Sequence, residues 1–210
     1  MIVVGLTGNY GMGKSTVSNM FGELGAVIID TDVIVGRLLK DPEVIEEIKK
    51  AIGDDIAEDN SINKKMLADI VFESPSLRIS LEDIIHPRVF NKINEKLSEL
   101  SLTCSEAVVV IETPLLYERS YQNRFDRTIT VYTSNETAIQ NLLKKGVPEE
   151  SALKRLKNQF PIEMKISRAD YRIDNNHGLD ATRDQVAYIY RELAALAKGG
   201  NVSAHLHGNN

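Results

Sequence analysis

The sequence predicts an α/β fold, a parallel sheet with helices on both faces, and three observations lead there. Short apolar runs of strand length recur along the chain, segments of helical apolar period stand between them, and the first run passes through a glycine-rich turn into the first helix. With 210 residues, 42% of them hydrophobic, the chain is long enough to bury a full core as one domain with excursions.

Taken in order, IVVGLT (2–7) reads as a buried strand, and KSTVSNMFGEL (14–24) as a helix with Val17, Met20, Phe21 and Leu24 on one face. AVIID (26–30), after Gly25, reads as a second strand. From Val33 to Leu102 the character turns helical: DPEVIEEIKKAI (41–52), INKKMLADIVF (62–72), PSLRISLEDII (75–85) and HPRVFNKINEKLSEL (86–100) are separated by Pro, Gly or Asn. Strands resume at AVVVIET (107–113) and RTITVYT (127–133), and helices follow at 136–145, 148–159 and 162–169. YRID (171–174) is the last strand, before a helix over 180–197. The end, 198–210, loses its apolar period and reads as a loose tail that includes His205 and His207.

A formal charge of −5 counts against a nucleic-acid binder that works through bulk electrostatics. Cys104 is the single cysteine, so the chain builds neither an internal disulfide nor a cysteine-rich zinc site, which fits a reducing compartment. Met1 leads into a strand-like run without an export signal, and no run reaches membrane-spanning length. The expectation is a cytoplasmic protein without membrane or nucleic-acid partners.

The first turn matches G-x-x-x-x-G-K-[ST]: Gly8, then Asn9 to Met12, then Gly13, Lys14 and Ser15. Glycines at Gly8, Gly11 and Gly13 let the backbone aim its N–H groups at one point, and the helix N-terminus adds partial positive charge there. The spot suits the phosphates of a nucleoside triphosphate, with Gly8, Gly11, Met12, Gly13, Lys14, Ser15 and Thr16 as the contacts. Lys14 reaches the β- and γ-phosphates, the Ser15 hydroxyl ligates Mg²⁺, and Thr16 adds a donor near the α-phosphate. The bland alternative is a glycine-rich turn with a solvated lysine.

VIIDTD (27–32) ends the second strand at the edge of a parallel sheet where ligands bind. In an extended segment Asp30 and Asp32 point the same way, so one carboxylate can hold a metal-bound water while the other takes a proton from a hydroxyl acceptor. The competing role is a helix cap, from Thr31 or Asp32. Once a phosphate loop is present, the reactive role is the better reading.

Five segments, GLTGNYGMGKSTV, VIIDTD, LEDIIHP, PLLYE and ADYRIDN, stand in the order and spacing seen in the dephospho-CoA kinases, and the chain resembles that family from Ile2 to about Leu196. The resemblance implies a P-loop kinase that uses ATP to phosphorylate the ribose 3′-hydroxyl of dephospho-CoA, the last step of coenzyme A synthesis. It implies Asp32 as general base, which leaves Asp30 for Mg²⁺. It also implies a nucleotide core (1–31, 104–135 and 168–197), a helical acceptor-binding insertion (32–103), a small helical lid (136–167) and a tail (198–210).

Between Lys144 and Arg172 basic residues outnumber acidic ones, which suits a segment that closes over a triphosphate, although a solvated helix face explains most of them singly. By resemblance Arg155, with Gln159, is the phosphate contact of the lid. Asn141 and Lys145 stand where the family carries two arginines, and Arg37 comes one place late. Asn175, with Asn176, is expected at the adenine, and Tyr117 and Glu118 at the acceptor. Glu112 suits either a magnesium water or a solvated strand end. His86 and Pro87 suit either a helix boundary or the acceptor site. A nucleoside or nucleoside-monophosphate kinase shares these parts, as does a non-catalytic P-loop protein. A regulatory GTPase does not fit, because N-K-x-D and D-x-x-G are missing.

Overall fold

The computed structural model describes residues 1–58 and 61–199. His205, His207 and most of the expected tail lie outside the described residues. Contacts divide the chain into two compact units, one of Met1–Ile29 with the chain from Leu100 onward, the other Asp30–Glu99.

The first unit carries the sheet. Strands β1 (Ile2–Thr7), β2 (Val27–Asp30), β5 (Val108–Glu112), β6 (Arg127–Tyr132) and β7 (Tyr171–Asp174) form a five-stranded parallel sheet in the order β2-β5-β1-β6-β7. Register places Ile2 beside Val108, Val4 beside Val110 and Leu6 beside Ile129, so these side chains share a face. That face is covered by Val17, Met20 and Phe21 of α1 (Lys14–Glu23) and by Val186, Ile189 and Leu193 of α9 (Leu179–Lys198), all buried. Strands buried on both faces explain the near-continuous apolar runs in the sequence. Three further helices, α6 (Asn135–Lys144), α7 (Glu149–Lys157) and α8 (Ile162–Arg168), lie between β6 and β7 in the chain.

The second unit is mostly helical: α2 (Thr31–Leu38), α3 (Pro42–Ile52), α4 (Lys64–Glu73) and most of α5 (Pro75–Thr103). Asp41 caps α3, with Pro42 at the first helical position, as the DPE sequence anticipates. Two features depart from the sequence reading. A short antiparallel hairpin pairs Ala57 with Ile62 and Glu58 with Ser61, in β3 (Ala57–Glu58) and β4 (Ser61–Ile62). Strands of two residues are too short to leave an apolar period. The boundary offered for His86–Pro87 is also absent: α5 runs on through Pro87 for 29 residues. Pro87 removes one helical N–H, but the buried stripe Ile85, Val89, Ile93 and Leu97 continues at spacings of four across it. Arg88 adds a bond from Nη1 to the Ile84 carbonyl (2.8 Å) and pairs through Nη2 with Glu47 of α3 (2.6 Å). Packing thus outweighs the proline. No helix among the described residues is long and apolar enough to cross a membrane.

Candidate active site

The loop between β1 and α1 is built by backbone shapes that need glycine. Gly13 precedes α1 in the left-handed region (φ 93°, ψ 18°), and a Cβ there would stand 2.2 Å from Asn175 Nδ2. Gly11 (φ 83°) passes so close to α6 that a Cβ would meet the Ala138 carbonyl at 2.5 Å. The glycines therefore serve both turning and close approach.

Within this loop Lys14 Nζ donates to the carbonyls of Gly8 (3.0 Å) and Asn9 (3.3 Å), so its ammonium sits at the cradle. Ser15, exposed at the start of α1, donates through Oγ to Glu112 Oε1 at 3.1 Å. Glu112 ends β5 in register with Leu6 and is buried, so its carboxylate is held at the sheet edge beside the loop. Thr16 is exposed on the next helical position. The Met12 N–H closes a turn onto the Asn9 carbonyl, and its buried side chain anchors the loop against Ala138, Ile162 and Tyr132.

Contacts from distant segments hold this loop. Asn9 Nδ2 donates to the Phe160 carbonyl (3.0 Å), and the Tyr10 N–H donates to Gln159 Oε1 (2.8 Å). The Arg155 guanidinium lies over the Tyr10 ring at 4.9 Å, within cation–π range. Arg155 and Gln159, four residues apart, thus both engage Tyr10. Asn141 Nδ2 donates to the Gly11 carbonyl (3.2 Å), so Asn141 holds the loop backbone.

Asn175, the residue expected at the adenine, links the phosphate loop to α9 and β6. Its Nδ2 donates to the Met12 carbonyl (3.2 Å), its Oδ1 accepts from Thr182 Oγ1 (2.9 Å), and its N–H continues the sheet onto the Tyr132 carbonyl (2.8 Å). Asn176 Oδ1 accepts from Thr133 Oγ1 and the Ser134 N–H, both at 2.9 Å, which ties the ends of β6 and β7 together.

In the second unit, Asp30 is the last residue of β2, and it, rather than Thr31 or Asp32, caps α2. Its Oδ1 accepts from the N–H groups of Asp32 (2.8 Å) and Val33 (3.3 Å). Asp32 is already in the first helical turn, so the two carboxylates do not share one extended segment.

A family model described as Dephospho-CoA kinase matches residues 2–181. The chain belongs to the dephospho-CoA kinase family. A relative from Aquifex aeolicus, named Dephospho-CoA kinase, is 38% identical over 192 residues, 90% of this chain and 96% of the relative. A solved structure titled as the dephospho-CoA kinase of Campylobacter jejuni superposes with a TM-score of 0.67 at 26% identity, covering 94% of this chain and 98% of that one. A Thermus thermophilus structure reaches a TM-score of 0.80 at 29% identity, over 94% and 97% of the two chains.

Within the family segment PLLYE, the structure corrects one expectation. Tyr117 is 2% exposed and donates to Thr128 Oγ1 (3.1 Å), so it is core and does not line a cleft. Burial raises its pKa above the ordinary 10.0, more than the bond to Thr128 lowers it. Glu118 is nearly buried and takes Lys165 Nζ at 2.6 Å. The sequence reading missed the bonds from Asn9 and Tyr10 to residues 159–160, because a pair about 150 residues apart leaves no local period or motif.

Proposed function

We infer that the chain transfers the γ-phosphoryl group of ATP to the ribose 3′-hydroxyl of dephospho-CoA, giving coenzyme A. One observation carries this reading: a glycine loop with Lys14 at its carbonyls and Ser15 bonded to Glu112, in a chain of this family. Lys14 and the N–H groups of the loop bind and orient the triphosphate, with Gly8, Gly11, Met12, Gly13 and Thr16 shaping or lining the cradle. Arg155 approaches the phosphates from its place over Tyr10, where a fixed cation stabilises developing charge without reorganisation. Asp32 accepts the proton of the 3′-hydroxyl as its oxygen attacks in line, and ADP leaves.

Ser15 Oγ and Glu112 Oε1, 3.1 Å apart, are hard oxygen donors of the kind Mg²⁺ takes together with phosphate and water. They would hold a Mg²⁺ ion, and Asp30, whose Oδ1 is committed to α2, would add a carboxylate to its surroundings. When bound, such an ion would supply positive charge against the developing charge of the transferred phosphoryl group. Asn175, placed by resemblance at the adenine, also braces the phosphate loop at Met12. Residues 32–103 are assigned to acceptor binding and 136–167 to the lid. A cytoplasmic setting, where ATP and an exposed reduced Cys104 coexist, belongs to the same proposal.

The test is ADP release with Mg-ATP and dephospho-CoA, run beside AMP, CMP and other hydroxyl acceptors, with coenzyme A detected by mass. Turnover specific to dephospho-CoA is expected. Turnover with a different acceptor instead would keep a P-loop kinase and overturn the substrate.

A further inference from the structure

Glu118 and Lys165 are buried charges that no step of phosphoryl transfer uses. Lys165 has no exposed surface, and its Nζ lies 2.6 Å from Glu118 Oε1 and 3.3 Å from the Pro114 carbonyl. Burial lowers the Lys165 pKa, and the hydrogen bond and charge of Glu118 oppose that shift. Ion pairs of this kind add little net stability over a well-packed apolar pair, so stability alone does not account for this one.

Glu118 also connects to the phosphate loop. The same Oε1 accepts the Phe160 N–H at 3.2 Å. On the other side of that residue, the Phe160 carbonyl accepts from Asn9 Nδ2 at 3.0 Å, and the neighbouring Gln159 Oε1 accepts the Tyr10 N–H at 2.8 Å. Asn9 and Tyr10 lie inside the glycine loop, and Arg155 precedes Gln159 by four residues while lying over Tyr10. A continuous hydrogen-bonded path therefore runs from α8 through Glu118 and the α7–α8 connection into the cradle.

We propose that Glu118 is a positioning residue for ATP: the oxygen it offers to the Phe160 N–H fixes Gln159–Phe160, and through them the shape of the loop at Asn9–Tyr10 and the place of Arg155. The carboxylate oxygen supplies the acceptor, and the ammonium compensates the charge that a buried carboxylate would otherwise carry alone. The proposal rests on ATP binding at the glycine loop.

Two double variants separate positioning from stability. E118Q/K165M removes both charges and keeps an amide oxygen for the Phe160 N–H, whereas E118L/K165M removes the acceptor as well. Titration calorimetry with Mg-ATP is expected to give E118Q/K165M a Kd within about threefold of the unmodified protein, and E118L/K165M a Kd about tenfold weaker. The KM for dephospho-CoA is expected to stay the same in both. Equal ATP affinity in the two variants, with only Tm differing, overturns the proposal. Asn9→Ala cuts the same path at its loop end, away from the buried pair, and is expected to weaken ATP by a similar factor. Unchanged affinity there overturns the proposal even if E118L/K165M does not fold. Calorimetry reads ATP binding whether or not acceptor is turned over. An inactive unmodified protein would therefore overturn the substrate reading and leave this test standing.

Discussion

The phosphate loop and the helical unit Asp30–Glu99 are held together by different kinds of bond. Around the loop, Asn141, Phe160 and Asn175 bond to Gly11, Asn9 and Met12 across 130, 151 and 163 residues of chain. In the helical unit the caps are local, Asp30 on Asp32, Asp41 on Glu43 and Asn63 on Met66, and Lys92–Glu95 and Lys96–Glu99 are exposed neighbours on one helix. An anion cradle must have its donors in place before charge develops, and only convergent, partly buried bonds hold a loop that firmly. A helical unit with its own buried stripe has no such demand, and its surface pairs contribute little. The difference teaches that single changes near the loop reach ATP, whereas most changes in the helical unit stay local.

Asp32 is the residue expected to break that pattern most strongly, because the role proposed for it is chemical. Asp32→Asn should lower kcat about a hundredfold to ten-thousandfold, with Tm and ATP affinity nearly unchanged. Near-normal turnover would reduce Asp32 to a first-turn helix residue. A smaller effect is expected at the brace: Asn175→Ala leaves the Met12 carbonyl and Thr182 hydroxyl without this partner, and ATP affinity should fall about tenfold together with Tm. A falling Tm with ATP affinity intact would make Asn175 a piece of scaffold only.

Tyr117 sharpens the comparison through pH. Its folded pKa is raised, so its contribution to stability is full below the ordinary 10.0 and is lost as pH rises through the folded value. Tyr117→Phe should therefore make the fall of Tm above about pH 10 shallower. It should not remove the fall, since burial raises Tyr132 and Tyr171 in the same direction. The smallest effect belongs to the helical unit: Lys96→Ala should shift Tm by less than about 2 °C and leave both KM values alone. A larger shift would show that its surface pairs matter more than their exposure implies.

The sheet was legible because its central strands β1, β5 and β6 are buried on both faces and so read as apolar runs, and the phosphate loop because its glycines, lysine and serine are contiguous. Pro87 was misleading: a local rule marks a helix end, and the stripe Ile85, Val89, Ile93 and Leu97 overrides it. The Asp30–Asp32 pair misled in a similar way. Spacing suggests two side chains on one strand face, but the chain turns helical at Thr31 and Asp30 is used as the cap. At Asn141 the sequence registers a missing charge, and only the fold shows the bond to Gly11.

By itself, then, the sequence determined the α/β class, the chain order of the five strands of the main sheet, the phosphate loop and the kinase family, all of which rest on contiguous residues or on periods a few residues long. The tertiary structure alone decided that Asn175 braces Met12, that Ser15 meets Glu112, that Tyr117 is core, and that Glu118 joins Lys165 to the loop. Each of these contacts joins residues far apart in the chain or depends on burial. Both are set by how the sheet and helices pack, and a linear pattern carries no record of either.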